Sequence, residues 1–160
     1  MSSDDHPVLF RRAGGGIDRR GIRDFAAVLQ EGLTEGKRFT CLITDDAELR
    51  RLNSRFLGHD YPTDVLSFPT AEHRLESLCY LSGTGIPACA SLGEIAISTE
   101  RAAEQARQFG HTIDDEVRIL MLHGVLHLLG MDHEADAGAM ARIEKRWRKK
   151  LGLRQGLIER

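Results

Sequence analysis

The stretch His123-Gly124-Val125-Leu126-His127-Leu128-Leu129-Gly130-Met131-Asp132-His133 decides how the rest of the chain is read. Its three histidines stand at offsets of four and then six. An α-helix turns about 100° per residue, so His123 and His127 project from one face, about one turn apart. Two imidazoles in that arrangement can share a metal ion. Gly130 follows His127 by three residues, where a glycine can take the left-handed conformation that ends a helix. The reversal can bring His133 back towards the pair. Three neutral imidazoles and one open position describe a catalytic zinc site, since structural zinc usually has four protein ligands. A lone histidine on an apolar helix is more often a packed core residue. A third histidine just past a helix-ending glycine makes coincidence a poor account of all three.

Working outward, Ile113, Val117, Leu120, Met121, Leu122, Val125, Leu126, Leu128 and Leu129 make this helix apolar nearly all round, which predicts a central, buried position. Thr112 is its cap, with Asp115 three residues on. β-Branched and aromatic runs predict strands over residues 8–12, 38–44, 92–98 and the end of 60–68. Residues 71–91, broken by Gly83, Gly85 and Pro87, read as a long loop with a short strand at 78–81. Asp18 caps a helix to about Gln30, with Ile22, Phe25, Val28 and Leu29 inward and Gly32 as its stop. Asp45 or Asp46 caps a second, with Leu49, Leu52 and Phe56 inward. Thr99 opens a third through Phe109. Asp136 starts the last, with Met140, Ile143, Trp147 and Leu151 inward and Gly152 at its end. The expectation is an α+β fold: a small mixed β-sheet of about four strands packed against about five helices, zincin-like in its metal helix. Residues 1–160 are read as a single metal-dependent hydrolase domain, with loose tails at 1–6 and 153–160.

Composition narrows the class. With 22 Lys and Arg against 24 Asp and Glu the net charge is −2, so any nucleic-acid contact must come from local patches. Such patches are Arg50, Arg51 and Arg55 on the second helix, and Arg142, Lys145, Arg146, Arg148, Lys149 and Lys150 on the last. The bland reading of each is a solvated face paired with acids such as Glu144. Cys41, Cys79 and Cys89 form no CxxC pair, and three scattered thiols fit a reducing compartment better than a disulfide scaffold. No run of about twenty apolar residues and no apolar leader is seen, so the chain reads as cytoplasmic, with no membrane partner.

Zn2+ on three neutral imidazoles keeps its full charge and lowers the pKa of a bound water to roughly 7, which suits peptide or phosphodiester hydrolysis. The spacing matches the His-x-x-x-His-x-x-Gly-x-x-His pattern of metzincin peptidases. In zinc peptidases, however, a Glu beside the first histidine is the general base, and here that position is Gly124. Asp132 and Glu134 flank His133 as substitute bases or, more in keeping with metal-bound histidines, as acceptors for a ring N–H.

The same stretch resembles the signature of the YbeY family of bacterial rRNA-maturation endoribonucleases. Leu52-Asn53, Pro62-Thr63-Asp64-Val65-Leu66-Ser67-Phe68 and Gly93-Glu94-Ile95-Ala96-Ile97-Ser98 agree in order and spacing. The resemblance implies a zinc-dependent, single-strand-specific endoribonuclease of 16S rRNA 3′-end maturation and ribosome quality control. Its partners would be the 16S rRNA precursor and the ribosome or small subunit. One Zn2+ per chain would be held by His123, His127 and His133, which are also the catalytic residues. One departure stands out: where the family usually has an Arg implicated in cleavage, this chain has Leu57. A metzincin-like zinc metallopeptidase and a non-catalytic ribosome-assembly factor with structural zinc are the rival readings.

Overall fold

The structure is a computed structural model that describes residues 7–70 and 91–153. Four strands, β1 (Val8–Phe10), β2 (Arg38–Thr44), β3 (Val65–Pro69) and β4 (Ser91–Ser98), form one sheet in the order β1-β2-β4-β3. β1, β2 and β4 run parallel, and β3 pairs antiparallel with β4, Ser67 opposite Ile95. Five helices accompany it: α1 (Arg19–Gly32), α2 (Asp46–Leu57), α3 (Thr99–Phe109), α4 (Ile113–Leu128) and α5 (Ala139–Lys150). The α+β expectation holds. The expected short strand at 78–81, Cys79 and Cys89 lie outside the described residues.

Side chains alternate across a strand, so one sheet face carries Val8, Phe39, Cys41, Ile43, Ile95 and Ile97. That face forms the main core with α1 and α4. α4 is buried on almost every side, including Glu116, whose carboxylate is paired with the equally enclosed His111. The opposite face carries Leu66 and Ala96 under Leu49 and Leu52 of α2. The buried Asn53 side chain donates to the Tyr61 carbonyl at 2.8 Å and ties down the turn between α2 and β3.

The caps are those expected at Asp18, Thr112 and Asp45, each accepting an N–H from the first turn. Several facing assignments differ. Val28 is 47% exposed, its place taken by Ala26; Phe56 is 56% exposed and meets Phe68 edge-on instead. α1 does end at Gly32 as expected, though as its last helical residue and without a left-handed φ, and a Cβ there would lie 2.8 Å from the Trp147 ring of α5. Leu153, expected in a loose tail, is buried in the core. Among the described residues no helix is long and apolar enough to cross a membrane.

At Gly124, α4 packs closely on the sheet. A Cβ at this position would stand 3.0 Å from Ile95 Cγ2 and 3.2 Å from Ser67 Oγ. The Ser67 hydroxyl donates to the Gly124 carbonyl at 3.2 Å. Gly124→Val should therefore lose about 2 kcal/mol or more by overpacking, while Gly124→Ala recovers part of its cost through helix propensity. Urea unfolding checks this, the expected signature being a lower midpoint at unchanged slope.

Candidate metal centre

Local folding rules place two of the three histidines. α4 runs to Leu128, and Gly130 beyond it adopts φ +90°. The Gly130 N–H bonds to the His127 carbonyl at 3.0 Å and the Met131 N–H to the Leu126 carbonyl at 3.2 Å, the paired bonds of a Schellman turn. The turn sends the chain back over the helix end, and His133 arrives beside His123 and His127. Ring centroids lie 4.7, 5.5 and 5.5 Å apart. One nitrogen from each ring falls within 4.8 Å of the others, so the three residues can hold a metal ion. His123 is buried, His127 half-buried and His133 exposed, a gradient from core to solvent.

The hydrogen bonds fix how the first two rings point. His127 Nδ1 lies 2.9 Å from the Met131 carbonyl, which can only accept, so Nδ1 carries the proton. His123 Nδ1 lies 2.9 Å from Glu144 Oε2, a carboxylate oxygen that accepts in the same way. In the neutral tautomers so defined, both Nε2 atoms are bare lone pairs, and they face each other at 3.1 Å. Such an arrangement repels unless a cation lies between them. Zn–N bonds of 2.0–2.1 Å in a tetrahedron put ligand nitrogens roughly 3.3 Å apart, close to the spacing found. Burial first, then the neighbouring His123, lower the pKa of His127 and favour its neutral form, against a smaller opposing effect of the Met131 bond.

A cleft of about 390 Å³ opens on the pair, lined by His123, His127, Asp64, Val65, Ser67 and Pro69. Its non-histidine residues come from edge strand β3 and the residue before it. The Asp64 carboxylate is held by the Val65 N–H at 2.7 Å, the Thr63 hydroxyl at 3.3 Å and Gln105 Nε2 at 3.0 Å. The Pro-Thr-Asp-Val-Leu-Ser-Phe block is thus a wall of the centre. Leu57 is 51% exposed on α2, outside that lining, as are the α2 arginines.

Two sequence assignments change. Asp132 is exposed and accepts the Glu134 N–H of its own loop at 3.1 Å, and the ring acceptors of His123 and His127 are Glu144 and the Met131 carbonyl instead. Glu144 is not on a solvated face but 1% exposed. The signal for it was present: Glu144 lies four residues after Met140 and three before Trp147, on the inward side of α5, where a lone acid needs a partner. Burial pushes the Cys41 thiol pKa far up, so it stays protonated and apart from the centre.

Fold and site together define an α+β protein whose buried helix presents three histidines able to hold a metal at the edge of a small mixed sheet. The sequence profile of the family described as endoribonuclease YbeY matches residues 19–152. A protein of Solibacter usitatus named endoribonuclease YbeY is 54% identical over 99% of this chain and 97% of its own length. One of the same name from Koribacter versatilis is 38% identical over 96% and 90%. The solution structure of TM1509 from Thermotoga maritima superposes with a TM-score of 0.51 at 26% identity, covering 87% of this chain and 86% of that one. The chain belongs to the endoribonuclease YbeY family, whose name is that of an RNA-cutting hydrolase.

Glu144→Gln keeps the shape but removes the charge behind His123, and should weaken metal binding roughly 10- to 100-fold in a chelator competition. Protons compete with a metal for the same nitrogens, so affinity should fall as pH drops through the imidazole range near about 6.5. The lowered pKa of His127 delays its own share of that loss to lower pH. The same competition repeated from pH 8 to pH 5 measures the effect.

Proposed function

We propose that this chain is a zinc-dependent endoribonuclease that cuts single-stranded RNA, acting in the cytoplasm on the 16S rRNA precursor during 3′-end maturation and ribosome quality control. Family membership supports RNA as the substrate. The observation that carries the metal dependence is the pair of bare Nε2 atoms facing each other at 3.1 Å. His123, His127 and His133 would hold the ion. Zn2+ bound there supplies a water of pKa roughly 7 and a Lewis acid for a phosphoryl oxygen.

The chain's own groups do the rest. Glu144 and the Met131 carbonyl hold the protons on the far nitrogens of His123 and His127 and so aim the near ones. Ser67, Pro69 and the anchored Asp64 wall the cleft in which a phosphodiester meets those rings. A peptidase would need a carboxylate beside the first histidine. Gly124 stands there, turned onto Ile95 and Ser67, where even a Cβ would be crowded. A purely structural metal is disfavoured by the cleft that His123 and His127 line.

His127→Ala should lose both stoichiometric zinc and cleavage of a single-stranded RNA, with the far-UV circular dichroism of the parent retained. A His127→Ala protein that binds zinc one-to-one and cuts RNA as the parent does would overturn the reading.

A further inference from the structure

The two basic regions of the sequence are not equivalent in the fold. On α2, Arg50 is clamped by Asp60 through two bonds of 2.9 and 3.1 Å, and Arg51 by the buried Glu48 through two of 2.9 and 2.6 Å. These arginines already have carboxylate partners. α5 holds six basic residues and a single acid, in a chain whose net charge is −2. That acid, Glu144, is turned inward onto His123. Arg142, Lys145, Arg146 and Lys149 are all exposed and recur at i, i+3, i+4 and i+7. They form one stripe on the side of α5 away from Glu144, running about 10 Å along the axis. No described acid forms an ion pair with any of the four. Four like charges side by side repel one another; the helix C-terminus favours Lys149 and the Ala137 carbonyl accepts from Arg142, but among the described residues no carboxylate neutralises the four. A polyanion laid along the stripe would.

The stripe also has a position. Its first member, Arg142, donates from Nη1 to the Ala137 carbonyl at 3.3 Å, and Ala137 belongs to the turn that carries His133. The stripe therefore begins at the end of the loop that follows His133 and runs along the same helix whose inward face sets Glu144 against His123.

We propose that this face of α5 is a binding surface for the sugar–phosphate backbone of RNA flanking the cleaved bond. Arg142, Lys145, Arg146 and Lys149 contact phosphates without reading sequence. The inference rests on the RNA-cleavage reading for the identity of the polyanion. It adds an anchor outside the cleft, where the near-neutral total charge would otherwise give little attraction.

The test uses the zinc-loaded full chain and a variant with Arg142→Gln, Lys145→Gln, Arg146→Gln and Lys149→Gln. Binding of a fluorescent 20-nucleotide single-stranded RNA is measured by anisotropy across a potassium chloride series. Each lost phosphate contact should flatten the plot of log affinity against log salt by about 0.7, so the slope should fall by roughly 2 to 3 in the variant. KM for a long RNA should rise at least tenfold. A second variant, with Arg55→Gln, Lys37→Gln, Arg38→Gln and Arg107→Gln, makes the same change in net charge elsewhere and should move the slope by less than 1. Equal slopes in the parent and the α5 variant, or equal losses in the two variants, would overturn the proposal. Preference of the α5 face for anionic lipid vesicles, with RNA binding unchanged, would do so too. The same titration on the His127→Ala protein separates the two readings. Stripe-dependent RNA binding without cleavage in the parent keeps this inference and removes the enzymatic one; cleavage by the parent without stripe dependence does the reverse.

Discussion

Two imidazole nitrogens turned towards each other with no proton between them are an unfavourable arrangement for any folded chain to maintain. Here it is enforced from outside. The Met131 carbonyl and the Glu144 carboxylate accept from the far nitrogens, and those acceptors come from two separate pieces of structure. One is the Schellman turn closing α4, and the other is the inward face of α5. The polar groups around the centre are thus consequences of a single demand, that the near lone pairs stay aimed at one point. The opposing cost is the repulsion and the burial of polar groups, and a cation at that point relieves it.

The same helix serves as core and as site, and this explains an otherwise odd residue. α4 sits flush on β3 and β4, and that contact is possible because position 124 has no side chain. The position that carries a proton-handling carboxylate in zinc peptidases is spent on packing. The cleft beside it is lined instead by a short edge strand and the residue before it, with Asp64 immobilised by three donors. Packing and chemistry therefore compete for Gly124, and packing has it. A phosphodiester, whose transition state is stabilised chiefly by positioned charge, asks less of that missing base than a peptide does.

Electrostatics follow the same division between inward and outward faces. Glu48, Asp60 and Glu144 each lie where a cation or an imidazole needs them. With Glu144 committed to His123, the outer side of α5 is left with cations alone. The average charge of the chain conceals this, because it sums over faces that a ligand meets separately.

Much of this was legible in the chain itself. Helical spacing put His123 and His127 on one face, and a glycine three residues later announced the reversal that returns His133. The apolar run of α4 announced its burial, and the caps at Asp18, Asp45 and Thr112 were written in local hydrogen-bonding chemistry. These features depend on neighbours a few residues away, so sequence alone determines them. What depended on distant partners could not be read that way. Glu144 looked like a surface counter-charge until α5 packed on α4. Phe56 and Val28 fit an inward stripe, yet both stay about half exposed in the fold. Gly32 looked like a stop and is one, but that it also leaves room for the Trp147 ring, 115 residues along the chain, could not be read there. Which acid reached which base, and therefore which basic face stayed open, was decided only when helices distant in sequence met, since charge pairing acts through space and not along the backbone.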